Sequence, residues 1–486
     1  MHSLARARPL RIITRSLALS HRVFEREAGL PRAASLDSVQ SDSPYHFYQN
    51  KIIDKYVQQP INASTLRQYI FFGRQMNAER LIKSANWVRN ELLVRLAHRI
   101  RDFQQLPFLV GTNPHIEFVY RLYWGAFDKL RKQSTVKNLE DNNAFCHLLR
   151  DLLDDGQLVV PRMALGVSEC ASFYDKDRHD LDRFVNRMFR SRISRRVLAE
   201  QHLALTEACE NDWDEMMGFG DGYVGIIFVR CSAKEIVGRA KRLVEQQARQ
   251  IYLPRYAPDQ QDSDHWTPPE IEVEIQHGAR KGYQQAEDRN EIVFAYVPEQ
   301  LEHILFELLS NAVRFTMAKH HECYPPIRVT VSANETDVFF RVSDQGGGIS
   351  QDRFASLWSY QARAPSGEFL QFQDVQKMPT TIHQRADLWH VNLGMGLPMS
   401  RVYAEYWGGE LQLMTMDGYG TDAYVRIPRL GTKAENVGLE KHPSDASEKK
   451  ITDSKHSHHH HRQSIEQHTI TSTTGNGWSH SDMIRA

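Results

Sequence analysis

The sequence predicts an α + α/β chain: an N-terminal helical bundle followed by an α/β sandwich in which a mixed sheet carries helices on one face. Three observations carry that expectation. Apolar residues recur at three- and four-residue spacing between about residues 45 and 215. From 222 to 430, short β-rich runs alternate with amphipathic ones. Beyond residue 430 the chain loses the large apolar residues that a core needs.

In chain order, the first 24 residues hold Arg6, Arg8, Arg11, Arg15 and Arg22 and no acid, interleaved with Leu4, Leu10, Ile12, Ile13, Leu17 and Leu19. Arg-rich, Ser-containing and acid-free is the composition of a mitochondrial transit segment, which we assign to residues 1–42. The periodic runs Leu66–Phe72, Leu92–Ile100, Phe118–Leu130, Phe145–Leu153 and Phe184–Leu205 predict the helices of a four-helix-bundle-like domain over 43–215. A second domain, 216–430, reads as strand Tyr223–Arg230, helix Ala233–Gln247, strand Glu270–Ile275 and helix Pro298–Lys319. Strands Ile327–Ala333 and Asp337–Ser343, helix Gly396–Trp407, and strands Glu410–Thr415 and Thr421–Ile427 complete it. Residues 431–486 are polar, carry a His456–His461 cluster broken only by Ser457, and are predicted to be disordered.

Composition excludes several classes. Sixty basic residues balance sixty acidic ones, so the chain as a whole has no electrostatic footprint for nucleic acid. No apolar run approaches the roughly 18–20 residues of a membrane span. Cys146, Cys170, Cys209, Cys231 and Cys323 lie at least 22 residues apart, which rules out a CxxC site, and their odd number argues against a complete disulfide framework.

The helix over Pro298–Lys319 carries the first chemistry. With His303 at zero and about 100° per residue, Ser310, Arg314, Glu307 and Asn311 fall within about 80° of it, opposite an arc of Ile304, Leu305, Leu308, Leu309, Ala312 and Val313. One narrow face thus gathers an imidazole, a carboxylate, a carboxamide and a guanidinium. Asp344 ends a strand and precedes Gln345-Gly346-Gly347-Gly348, a pattern suited to accepting a hydrogen bond from an exocyclic amine while glycines admit a flat ligand. Gly394-Met395-Gly396-Leu397-Pro398 feeds a helix N-terminus, where free N–H groups favour phosphates. Gly418-Tyr419-Gly420-Thr421-Asp422 leads into the last strand, where the Thr421 hydroxyl either supports the Asp344 end of a nucleotide or caps the turn.

The order ExxxN, DxGxG, GxGLP and GTD spans 116 residues from Glu307 to Asp422. It resembles the Bergerat-type (GHKL) ATP-binding fold of histidine kinases, heat-shock ninety chaperones, mismatch-repair ATPases and type II topoisomerases. Within that group, Glu307-Leu-Leu-Ser-Asn311-Ala-Val-Arg314, Gly396-Leu397-Pro398-Met-Ser400-Arg401-Val-Tyr403 and Gly418-Tyr-Gly-Thr-Asp422 are similar to the mitochondrial 2-oxo-acid dehydrogenase kinases. The bundle runs Arg89-Asn-Glu91-Leu-Leu-Val-Arg95 and Arg192-Ile193-Ser-Arg-Arg196-Val-Leu198-Ala-Glu-Gln201-His202 agree.

The resemblance implies a matrix serine kinase that phosphorylates and inactivates the E1α subunit of a 2-oxo-acid dehydrogenase, pyruvate dehydrogenase before the branched-chain enzyme. Its bundle would dock on the lipoyl domain of E2. Glu307 would be the general base, oriented by His303, and Asn311 would supply an oxygen to Mg²⁺. Asp344 would read the adenine of ATP, with Gly346 and Gly348 admitting the base and Thr421 alongside. Gly394, Met395, Gly396 and Leu397 would close on the phosphates, Arg314 would contact them, and 361–392 would form a lid. Departures stand at Gln361-Ala362-Arg363-Ala364, in place of a Ser/Thr–Thr pair, and at Asn392, in place of a lid glycine. No Asp-Trp pair for tail exchange precedes Trp478, so the resemblance leaves monomer and homodimer both open. A histidine kinase using His202, and a non-catalytic relative, are the rival readings.

Overall fold

The computed structural model describes residues 43–74, 76–170, 178–210, 222–256, 266–276, 291–320, 323–360 and 395–437. The transit segment, the 361–392 region with its departures, Gly394 and the His-rich part of the tail lie outside the described residues. Two compact units, Met1–Lys55 and Tyr56–Ala486, divide the chain. The first contributes only the start of helix α1 (Ser43–Val57), and everything below concerns the second.

Its helical half comprises α2 (Leu66–Gly73), α3 (Ala78–Gln104), α4 (Phe108–Gly111), α5 (Pro114–Lys132), α6 (Leu139–Asp155), α7 (Val159–Cys170) and α8 (Arg178–Glu210). Each predicted helix is present but longer, because polar caps set the ends that apolar periodicity does not mark. Thr65 and Gln68 form a reciprocal capping box on α2, while Asn77, Asn113 and Asn138 accept backbone N–H groups at the starts of α3, α5 and α6. Helix α7 has no counterpart in the expected elements: Val159-Val160-Pro161 is a β-branched pair before a proline, yet Pro161 falls in the first turn, where no donor is missed. Helix α3 packs against α5, α6 and α8, the bundle core.

One buried polar chain crosses that core. His202 of α8 meets Ser84 Oγ of α3 through Nδ1 at 3.1 Å and Asn142 Oδ1 of α6 through Nε2 at 3.0 Å. Burial pulls the imidazole down to about 4, so the neutral ring donates from Nε2 and accepts at Nδ1.

The second half begins with a small antiparallel sheet of β1 (Tyr223–Val224), β2 (Ile227–Ser232) and β4 (Val293–Tyr296), in the order β1-β2-β4. The single strand expected over Tyr223–Arg230 is thus a hairpin, and β4, only four residues long, was too short to register as a pattern. Helix α9 (Ala233–Tyr256) and strand β3 (Ile271–Gln276) follow, then α10 (Pro298–Lys319), β5 (Ile327–Ala333), β6 (Asp337–Asp344), α11 (Gln351–Ser356), α12 (Gly396–Tyr406), β7 (Glu410–Met416) and β8 (Gly420–Pro428). The main sheet runs β3-β5-β6-β8-β7, with β3 parallel to β5 and every other pair antiparallel, the mixed sheet expected.

Alternate residues of the central strands, Val329 and Val331, Val338, Phe340 and Val342, and Val425 and Ile427, point into one core. The buried side of α10 (Leu301, Ile304, Leu305, Leu308, Leu309) contributes to that core and packs near β6, α9 and α12. Residues 431–437 are not part of a disordered tail. They return to the bundle through a Thr65–Ala434 bridge, Glu435 N to Ser64 O at 2.9 Å, and Val437 beside Ile61 and Val94. Among the described residues no helix is long and apolar enough to cross a membrane.

Candidate active site

Helix α10 starts with Pro298 in its first turn, directly after β4, so the sheet sets where its polar stripe lies. That stripe does not face solvent. His303 and Ser310 are buried, and Glu307, Asn311 and Arg314 are half-buried. Helix α12 covers the first turn of the stripe, with the Tyr403 ring meeting the His303 ring edge-on at 4.9 Å between centroids. The site is therefore a seam between α10 and α12.

Asp344 is the last residue of β6 and pairs with Thr421 across the β6–β8 ladder. Its Oδ1 accepts from Gly346 N at 2.8 Å and from Thr421 N at 3.3 Å. Among the described residues no donor takes the second oxygen. Thr421 thus acts on Asp344 through its backbone; its hydroxyl lies 3.3 Å from that of Thr415, which in turn accepts from Ile349 N at 2.8 Å.

The glycines that follow Asp344 are required by their protein neighbours as well. A Cβ on Gly346 would stand 2.8 Å from Phe315 Cβ and 3.0 Å from the α10 backbone. Gly348 has φ of +73° and its Cβ direction runs into the Met416 carbonyl. At both positions the protein's own helix and β7–β8 turn leave no room for a side chain.

The end of α12 provides the decisive contact. A Cβ built on Gly396 would overlap Glu307 Oε2 and stand 2.8 Å from its Cδ, so the carboxylate lies directly against the first residue of α12. Among the described residues no side chain caps that helix: Met395, at the cap position, makes no side-chain bond, and no acid lies in the first turn. The positive end of the α12 dipole therefore faces Glu307 and whatever anion joins it. Leu397, half-buried, follows in the first turn.

Burial holds the Arg314 guanidinium below its ordinary value, opposed by Tyr252 and Glu307, and the group stacks 4.6 Å over the Phe315 ring. Phe315 is the residue the sequence reading missed. It follows Asn311 by one helical turn, and its ring is 46% exposed although the wheel places it at the edge of the apolar arc. An exposed aromatic beside the Gly346 loop was the available signal. Helix α10 closes on Lys319, whose Nζ donates to Gly418 O at 2.8 Å and ties the helix to the same turn.

Burial also raises the Asp344 carboxyl, partly countered by its two N–H donors. Relative to the unfolded chain, the native state binds this proton more readily: any stability this brings is present below the ordinary aspartate range and is lost as pH rises through the raised value. Asp344→Asn removes that desolvated charge and is therefore expected to hold or raise Tm, which a thermal melt checks.

Comparison with known proteins places these features. Residues 63–228 match the family described as mitochondrial branched-chain alpha-ketoacid dehydrogenase kinase, and residues 296–431 match the histidine kinase-, DNA gyrase B- and HSP90-like ATPase family. The mitochondrial pyruvate dehydrogenase (acetyl-transferring) kinase of Arabidopsis thaliana is 30% identical over 76% of this chain and 91% of its own length. Kinase 2 of that name from Saccharomyces cerevisiae is 26% identical over 82% and 88%, and isozyme 1 from Homo sapiens 28% over 84% and 86%. A helical half and a nucleotide-binding half that match in order, together with relatives aligned along nearly their whole length, establish that this chain belongs to the mitochondrial pyruvate dehydrogenase and branched-chain 2-oxo-acid dehydrogenase kinase family.

Proposed function

We propose that the chain is a mitochondrial matrix protein kinase that transfers the γ-phosphoryl group of Mg-ATP to a serine of the E1α subunit of pyruvate dehydrogenase, inactivating it. The observation that carries this reading is the Glu307 carboxylate lying against Gly396, one helical turn from Asn311. A proton acceptor, a neutral oxygen and an uncapped helix N-terminus converge there. All three relatives named above are pyruvate dehydrogenase kinases, which favours pyruvate dehydrogenase over the branched-chain enzyme.

The donor set fits magnesium. Among the described residues no group of three or more His, Cys, Asp or Glu side chains is placed to hold a metal. Asn311 would be the protein's oxygen donor to a bound Mg²⁺, an ion that is commonly held by few protein ligands together with substrate phosphates and water. When bound it offsets the charge that builds on the phosphates.

The chain's own residues supply the rest. The second oxygen of Asp344 would accept the adenine amine, the exposed Phe315 ring would offer an apolar wall, and the Gly396–Leu397 end of α12 would bind the phosphates through its N–H groups. Glu307 accepts the serine hydroxyl proton as the serine oxygen bonds to the γ-phosphorus and ADP departs; His303, one turn earlier, orients it. The bundle docks on the E2 lipoyl domain, which raises the effective concentration of E1α by tethering. Homodimerisation is compatible with this reading.

A histidine kinase reading fails on His202, which is 1% exposed with both ring nitrogens hydrogen-bonded inside the bundle. A phosphoacceptor must reach the γ-phosphate. Incubation with Mg-ATP and each purified E1α tests the proposal: acid-stable phosphoserine with loss of pyruvate dehydrogenase activity is expected. Acid-labile phosphate on the kinase, or phosphorylation of the branched-chain E1α alone, contradicts it.

A further inference from the structure

The segment after β8 places Glu435, 3% exposed, between the bundle and the far end of α12. Its Oε1 accepts from Arg95 Nη2 at 2.6 Å and Ser64 N at 3.0 Å, and its Oε2 from Arg95 Nη1 at 3.0 Å and the Tyr406 hydroxyl. Arg95, 1% exposed, gives its Nε to Glu91 Oε1 at 2.9 Å and a further Nη2 bond to Asn62 O at 2.9 Å. The next residue, Asn436, donates its N–H to Tyr406 O at 2.7 Å. Tyr406 is the last residue of α12, so residues 435 and 436 hold that helix end by both its side chain and its carbonyl.

The other end of the same helix is Gly396, against Glu307. Eleven residues of helix span about 16 Å and move as one rod, so a shift at Tyr406 reaches Gly396. A buried ion pair contributes little net stability compared with apolar packing, because desolvation offsets the attraction. What it supplies is geometry, since each oxygen of Glu435 takes two donors from fixed directions.

Resting on the phosphoryl-transfer reading above, we propose that Glu435 is a positioning residue for catalysis. Through Tyr406 it sets the axial position of α12, and so the alignment of the Gly396–Leu397 end with Glu307. Bundle helix α3, which carries Arg95 and Glu91, thereby holds the active-site geometry.

The test uses the full chain, with Glu435→Gln and, as the milder change, Tyr406→Phe, assayed well below each variant's Tm. Both are expected to lower kcat, by about tenfold for Glu435→Gln and less for Tyr406→Phe, with Mg-ATP affinity changed by no more than about threefold. The acid limb of the kcat–pH profile is expected to move as well, because Gly396 no longer abuts the base. A purely structural role would lower Tm and leave kcat, affinity and the pH profile at wild-type values in folded protein, and that result overturns the proposal. If the wild-type chain itself fails to bind Mg-ATP, the nucleotide reading falls first and this one with it.

Discussion

Glu307→Gln is expected to lower the rate of phosphoryl transfer by roughly 10²–10⁴-fold while leaving Mg-ATP affinity within about twofold of wild type. Glutamine has the length and shape of glutamate, so it fits the space beside Gly396 and leaves α10 and its packing intact. What it lacks is a basic oxygen. The serine hydroxyl then has no acceptor for its proton as its oxygen meets the γ-phosphorus. Single-turnover transfer from labelled ATP to E1α, with calorimetric ATP titration alongside, separates chemistry from binding. Asn311→Ala is expected to show the opposite split, losing affinity for Mg-ATP, because on the proposed reading its side chain supplies the protein oxygen to Mg²⁺. A Glu307→Gln enzyme that transfers phosphate at the wild-type rate would remove Glu307 as the base.

The sequence held much of this site, and its limits are instructive. Glu307, Asn311 and Arg314 are legible because a helix repeats every 3.6 residues and their order on one face follows from arithmetic. Asp344 is legible because a carboxylate ending a strand before glycines is an unusual pattern. What no local pattern reveals is which distant element fills a given space. The glycines of the Asp344 loop announce a close approach, but only the fold identifies the neighbours as α10 and the β7–β8 turn. For the same reason the exposure of Phe315, at the edge of the apolar arc with the Gly346 loop against its backbone, cannot be read from its wheel position. Residues 431–437 read as the start of a polar tail; Glu435 is nevertheless buried because Arg95, far away in sequence, supplies its counter-charge. Long-range pairing of a single charge leaves no periodic trace.

Gly396→Ala isolates the contact on which the site depends. Gly396 opens α12 in helical backbone, so alanine meets no conformational objection there, and its helix propensity exceeds that of glycine by up to about 1 kcal/mol. Stability is therefore expected to hold or rise. The added methyl group, however, falls on Glu307 Oε2 and within 2.8 Å of Cδ, and the carboxylate has to rotate away. Misplacing a reacting group by about 1 Å costs on the order of 10²-fold in rate, so kcat is expected to fall by about that factor without a loss in Tm. Shortening the acid offers a check on the cause. Glu307→Asp alone withdraws the carboxylate and slows transfer, but in the Gly396→Ala background it also removes the overlap. The double variant is therefore expected to be no slower than Gly396→Ala alone, a non-additivity that residues in direct contact produce and distant ones do not. Steady-state kinetics on the four proteins measure this coupling; independent, multiplying losses would mean that Glu307 and Gly396 do not work as neighbours.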